Sequence, residues 1–436
     1  MRTLMVSLAA LSMAIGPAAA DTLTEAMVAA SESNPTLAAQ RQRLNATREA
    51  LPQAWAAALP QISISGSAGA SDRDSDNPLL EGDRTETWSS SANVSQLLFG
   101  SGRVVASTRA ARAQIAGAVA DYELASQTLL LDVTRAYADV RQAQAVVAAR
   151  ETTVSNLTRL FEYAQAQFDA GVVTRTDVAQ SQARLAQART QLVQAQGAMA
   201  AAVQAYQRLV GRPPSNLSAP APTPGLPSDL QTALDLSVDN SPVLIAAMAD
   251  TRLADANVDV AAAQGRMNVT LEAGSSIGAD FDDDDSEATS DSVGVRVSIP
   301  LFQGGAIRSR TRAQRALRSA SNLDLAAAQR GVQESVTNAW TGLASARAAV
   351  DSAREQVQAA ELAYEGVTLE QETGLRSTVE VLDQEADLLT ARIALAQAER
   401  DLVVAERQML ASVGILSIPP QNGGLIEGQN DGLRGR

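Results

Sequence analysis

The stretch "FDAGVVTRTDV", residues 168 to 178, interrupts a long Ala- and Gln-rich run that otherwise reads as unbroken helix. Counting on by 203 residues (374 − 171) reaches "QETGLRSTVEV", 371 to 381, which has the same layout, with Gly374 for Gly171 and Glu380 for Asp177. A helix broken by one glycine and restarted by a hydroxyl residue with an acid three positions on is a helical hairpin tip. The chain uses that tip twice.

The 203-residue offset holds without a gap from Leu98 to Gly211, pairing Phe99 with Phe302, Gly102 with Gly305, Tyr137 with Trp340, Phe161 with Tyr364 and Gly211 with Gly414. Upstream the offset becomes 207, pairing Leu23 with Leu230, Pro35 with Pro242 and Ile62 with Val269, so the second copy is four residues shorter between Ile62 and Leu98. A twofold internal repeat sets the organisation. It predicts a leader at 1–20, repeat 1 at 21–211 and a Pro-rich linker at 212–227. Repeat 2 then follows at 228–414 and a polar C-terminal tail at 415–436.

Within each repeat the apolar period is helical. Val133, Val140, Val147, Val154, Phe161 and Phe168 fall seven apart, and Ala136, Ala143, Leu157 and Ala164 follow three positions after four of them. Val336, Leu343, Val350, Val357 and Tyr364 repeat the stripe. Beyond the glycine the seam resumes at Val178, Leu185, Leu192, Met199 and Tyr206, and in the second copy at Val381, Leu388, Leu395, Leu402 and Met409. Heptad seams joined by a few residues predict antiparallel hairpins at about 103–211 and 306–414. Gly171 and Gly374 are expected in the left-handed conformation, Thr174 and Ser377 as N-caps, and Asp177 and Glu380 at N3. The outgoing helix, on the order of 100 Å long, exceeds its return of about 54 Å. A helix near Leu37 to Ala58 is expected to fill the difference.

Between these helices the period changes to two. "QISISGSAGA" puts Ile62, Ile64, Ala68 and Ala70 opposite serines, and "TWSSSANVSQLLF" puts Trp88, Ala92, Val94 and Leu98 on one side. "NVTLEAGSSIGA" and "SVGVRVSIPLF" do the same with Val269, Leu271, Ala273 and Ile277, and with Val293, Val295, Val297, Ile299 and Leu301. Strand hairpins are therefore expected at about 61–99 and 268–302, four strands of roughly 10 residues with one apolar face, the length and pattern of membrane strands. A soluble half-buried sheet would alternate in the same way. Four strands cannot close a membrane barrel, which takes about eight, so chains must combine. The hairpin ends "SDRDSDNPLLEGDRTE" and "DFDDDDSEATSD" read as solvated loops; the second lacks the Gly turn and ligand spacing of a calcium loop.

Composition narrows the function. The chain has no Cys and no His, and all 35 basic residues are Arg. That removes disulfides, thiolate chemistry, imidazole bases and most transition-metal sites, so neither catalysis nor a cofactor is expected. "MRTLMVSLAALSMAIGPAAA", with Arg2, an apolar run and Ala18-Ala19-Ala20 before Asp21, has the pattern of a cleavable secretory leader, with no lipid-anchoring Cys after it. Without Arg2 the count is 34 basic against 49 acidic residues, −15 (34 − 49), which makes nucleic acid a poor partner. No run after residue 20 has the roughly 18 apolar residues of a spanning helix, so membrane contact must be by strands.

Leader, repeat, strand hairpins, long heptad helices and the tips "GVVTRTDV" (171–178) and "GLRSTVEVLD" (374–383) together resemble the TolC-like outer membrane efflux and secretion channels, over the mature chain to about residue 416. The resemblance implies a mixed helical/β membrane protein. A homotrimer would close a 12-stranded β-barrel in outer-membrane lipid, four strands per chain, continued by a periplasmic α-helical coiled-coil barrel. Partners implied are a periplasmic adaptor and an inner-membrane pump of ABC or RND type, and the location is the outer membrane of a Gram-negative bacterium.

The same resemblance gives the tips roles. Glu380 and Asp383, three apart on one helical face, match the family's gate carboxylates, which crowding in a threefold ring would give raised pKa values. Arg376 matches a tether to Thr176 and Asp177, while the family's second, tyrosine tether falls on Gln371. Gly171, Val172, Val173, Gly374, Leu375 and Arg376 are the expected adaptor contacts. The reading implied is a gated exit duct passing small molecules or unfolded protein. The competing reading is a periplasmic or surface coiled-coil structural protein with a small soluble sheet; for an enzyme, no nucleophile, metal cluster or phosphate loop accompanies the acidic pair.

Overall fold

A computed structural model describes residues 21–73, 82–281 and 283–418. The leader at 1–20, the first strand-hairpin end from 74 to 81, Asp282 and the tail from 419 lie outside the described residues. The chain divides into two compact units: residues up to 39, 123–241 and from 331 onward, and residues 40–122 with 242–330.

The second unit carries the strands β1 (Gln61–Arg73), β2 (Gly82–Phe99), β3 (Asn268–Asp280) and β4 (Asp283–Ser298). They form one antiparallel sheet in sequence order, with β1 and β4 at its edges. Register puts the apolar positions in line. Ile62 faces Val94, Val94 faces Ala273 and Ala273 faces Val293, one ladder across all four strands. Because opposed residues share a face, the other face collects the polar set. There Ser65 and Ser91 hydroxyls meet at 2.8 Å, those of Ser67 and Ser89 at 2.9 Å, and Arg296 makes a two-point pair with Glu272 at 2.7 and 2.8 Å. The apolar face is uncovered in the single chain: Ile64 is 79% exposed.

The strands run 13 to 18 residues rather than roughly 10. The acidic run read as a loop is largely strand: β4 begins at Asp283 and pairs through Asp291 with Ser275, because ladder hydrogen bonds continue past the last apolar residue. At the other end Ile299 and Leu301 fall outside β4. Pro300 has no N–H to extend the ladder.

In the same unit lie α3 (Ala50–Ala56), α7 (Pro242–Ala263) and the first part of α4 (Arg103–Asp169) and of α8 (Ala306–Glu372). The helix expected over 37–58 is two: α2 (Pro35–Arg48) stops before Glu49, and Pro52, which cannot donate to the helix ladder, sits in the first turn of α3. Arg109 pairs with Asp259 at 3.1 Å and Arg318 with Asp255 at 3.6 Å.

The first unit holds α1 (Leu23–Ser33), α5 (Arg175–Val210), α6 (Leu230–Asn240), α9 (Thr378–Val413) and the remaining parts of α4 and α8. Its core is the heptad seam. Val133, Val140, Leu157, Leu185, Val336, Val350, Val381 and Leu388 are all buried, each such side chain contributing about 1.5–3 kcal/mol. The seam ends before Phe168, which is exposed. Tyr137 and Tyr206 are fully buried with ring centroids 6.4 Å apart. The Tyr137 hydroxyl lies 2.8 Å from the carbonyls of both Asp21 and Ser218.

Helix ends interlock in this unit. Asn34 Nδ2 donates to the carbonyl of Leu209 and Ser33 Oγ to that of Val210, satisfying the end of α5. The Pro-rich linker is pinned there too: Asp21 accepts from Ser215 N and pairs with Arg212, and Arg407 donates to the Ala221 carbonyl.

Candidate functional site: the two hairpin tips

Both tips close by the same backbone device. Gly171 (φ +75°) and Gly374 (φ +81°) take the left-handed conformation. Val172 N donates to Gln167 O and Leu375 N to Glu370 O, each at 2.9 Å, so the last carbonyls of α4 and α8 are satisfied. The next apolar residues are left outside: Val172 is 70% and Leu375 77% exposed.

The returning helices start with the acids the sequence singled out. Asp177 Oδ2 accepts from Thr174 N at 2.9 Å and Thr174 Oγ1 at 2.8 Å. Those bonds, the hydroxyl first, hold the Asp177 carboxyl below its ordinary range. Its Oδ1 has no hydrogen-bond partner among the described residues. Glu380 forms a reciprocal box with Ser377: Ser377 N donates to Oε2 at 2.9 Å, and Glu380 N donates back to Ser377 Oγ at 3.4 Å. Arg376 Nη1 donates to Glu380 Oε1 at 3.0 Å and its Nε to Glu370 at 2.7 Å.

Glu380 is thus held below the ordinary carboxylate range, by the Ser377 amide first and then by Arg376. Within one chain a helix N-terminus and a guanidinium both favour the Glu380 anion; the like-charge crowding expected of a threefold ring is a property of the assembled trimer. Asp383, by contrast, reaches the first repeat: Arg184 on α5 pairs with it at 3.2 Å, both side chains about half exposed.

Arg376 and the Thr176–Asp177 pair are not brought together within one chain. The guanidinium is engaged by Glu370 and Glu380 in its own hairpin, and Asp177 caps its own helix. Gln371, at the position of the family tyrosine, is buried, with Nε2 3.4 Å from Thr378 Oγ1. Sequence reasoning missed one group near these tips. Glu385 on α9 is only 1% exposed and accepts from Asn156 Nδ2 of α4 at 3.0 Å. Its signal was available: a charged residue four after Val381 and three before Leu388 lies on the buried stripe.

With this geometry in hand, comparison with known proteins decides the family. The model for outer membrane efflux proteins matches residues 26–212 and 233–415. The chain belongs to that family. The outer membrane efflux protein BepC of Brucella suis is 29% identical over 91% of this chain and 86% of its own. The outer membrane protein TolC of Vibrio cholerae is 26% identical over 91% of this chain and 92% of its own. Among solved structures, the Campylobacter jejuni CmeC outer membrane channel superposes with a TM-score of 0.79 at 15% identity, covering 92% of this chain and 87% of that one. The fold is that of these channels, with one four-stranded antiparallel sheet per chain continued by long helical hairpins. As an outer membrane efflux protein, the chain is a transport protein of the outer membrane of Gram-negative bacteria. No described helix is long and apolar enough to cross a membrane.

Proposed function

We propose that this outer membrane efflux protein is the exit duct of a tripartite export system, carrying small molecules or unfolded protein from an inner-membrane pump to the exterior. One observation carries the reading: a four-stranded sheet with an uncovered apolar face and both edges available, on long heptad helices. Four strands cannot satisfy their edges in lipid; three chains give a barrel of 12 strands (3 × 4) with β4 of one chain beside β1 of the next. The hydroxyl-lined face with Glu272 and Arg296 then lines the lumen.

The tips are its gate and docking end. Exposed Val172 and Leu375, with half-buried Val173, on turns made by Gly171 and Gly374, offer an adaptor small and apolar anchors beside Arg376. Glu380 and Asp383 supply the carboxylates at the constriction. The unpartnered Oδ1 of Asp177 supports a tether made between chains, Arg376 of one reaching Thr176 and Asp177 of its neighbour when the duct rests closed. Adaptor engagement breaks that link. Arg376→Ala then raises conductance in planar bilayers, and unchanged conductance in that variant would remove the tether from the mechanism.

Cargo is tested by comparing the culture-supernatant proteome of a deletion strain with its parent. Loss of a few secreted proteins, restored by complementation, makes this a type I secretion duct. An unchanged secretome makes it a small-molecule efflux duct.

A further inference from the structure

Glu385 is a buried carboxylate that neither capping nor the tether uses. It lies on α9 one turn after Val381 and Leu382, which share an apolar cluster with Leu157, Leu160 and Leu185, and is itself 1% exposed. A carboxylate is costly there unless it is bonded and balanced. Asn156 Nδ2 donates to it at 3.0 Å, and Arg159, one turn along α4, donates to Asn156 Oδ1 at 2.5 Å. The amide thus relays a guanidinium to a carboxylate: its oxygen is held by Arg159 and its NH2 is turned inward to Glu385. The Tyr364 hydroxyl of α8 faces the same carboxylate; burial first, then the Glu385 charge, raises its pKa.

The arrangement belongs to one side of the repeat only. At the 203-residue offset, Glu385 corresponds to Gln182 and Asn156 to Ala359, and both of those residues are exposed. Plain seam packing would repeat; this bond joins the first repeat's outgoing helix to the second repeat's returning helix. It does so five residues beyond Glu380, about 7.5 Å along α9. Asp383, two residues before Glu385, points the opposite way toward Arg184.

We infer that Glu385 is the positioning residue of the gate: the Arg159–Asn156–Glu385 relay pins α9 to α4, fixing the rotation that presents Glu380 and Asp383 and confining opening to the tip side of the pin. The inference rests on the exit-duct reading. Losing one partner leaves a buried polar group without its bond, and losing both removes the pin itself, so either change frees the rotation.

The test uses the full-length protein in planar bilayers, with the heat-resistant trimer on gels as the assembly control. Asn156→Leu cuts the relay, leaving Glu385 only the Tyr364 hydroxyl, and raises the open probability roughly fivefold. Glu385→Gln still accepts from Asn156 Nδ2 and gates as wild type, whereas Asn156→Leu with Glu385→Leu, which removes the pin without leaving a buried charge, opens as far as Asn156→Leu; a double variant that closes would assign the opening to the stranded charge and overturn the inference. Should Asn156→Leu not assemble, Asn156→Asp, which opposes two carboxylates, is the second opener. An assembled opener with wild-type open probability overturns the inference, as does Glu385→Gln opening as far as Asn156→Leu. Wild-type protein that never conducts overturns the exit-duct reading itself and this inference with it.

Discussion

Gly414 and Gly171 make a matched pair for testing how the repeat is held. Both have positive φ, +88° and +75°, so an alanine at either costs about 1–2 kcal/mol of backbone strain. Their surroundings differ. A Cβ at Gly171 meets nothing, whereas at Gly414 it falls at van der Waals overlap with backbone, 2.6 Å from the carbonyl carbon of Asn240 and 2.8 Å from Ser241 Cα, at the end of α6. Those atoms end a helix and cannot rotate away, so α6 and α9 have to separate, adding about 1–3 kcal/mol of overpacking. Gly414→Ala should therefore cost about 2–5 kcal/mol and Gly171→Ala about 1–2. Urea unfolding of the detergent-solubilised protein, followed by far-UV circular dichroism, compares them. Equal losses would refute the argument that the end of α9 is fixed by backbone contact with α6.

Further outcomes follow from the same geometry. Tyr206, fully buried with its phenol pushed up to about 12, has a hydroxyl without a hydrogen-bond partner among the described residues. Tyr206→Phe should leave the melting temperature unchanged or raise it, while Tyr137→Phe, which loses bonded carbonyl partners, costs about 1 kcal/mol. Val295→Arg on the apolar sheet face should cost about 2–4 kcal/mol and block outer-membrane insertion, while Ser65→Arg on the hydroxyl face inserts normally; fractionation reads both. Folded Asp177 and Glu380 titrate below their ordinary values, so the stability they contribute is complete above the ordinary carboxylate range and is lost as pH falls through the folded values. Limited proteolysis should find the tips protected alike at pH 7 and pH 5, and loosened only below about pH 4.

Much of this was legible because the chain repeats itself. The 203-residue offset, the heptads through Val133 and Val336 and the Gly-Thr/Ser-acid tips determine helix, turn and cap from local chemistry, and the structure has those elements. Strand ends were less legible. Alternation marks where apolar residues stop, but backbone pairing carried β4 back to Asp283, and Pro300 cut it at Ser298. The pairing of Arg376 with both Glu370 and Glu380 in its own hairpin was not legible, because the sequence reading aimed that guanidinium at the other tip. Glu385 was passed over for a related reason: its partner Asn156 lies 229 residues away, and no local pattern joins them.

Conduction through a trimeric duct gated at the tips can be read by single-channel recording of the purified protein in planar bilayers. Stepwise conductance with cation preference is expected, with a reversal potential that moves toward zero in the Glu380→Gln, Asp383→Asn double variant. Absence of steps from an assembled trimer, or a reversal potential indifferent to both substitutions, would contradict it.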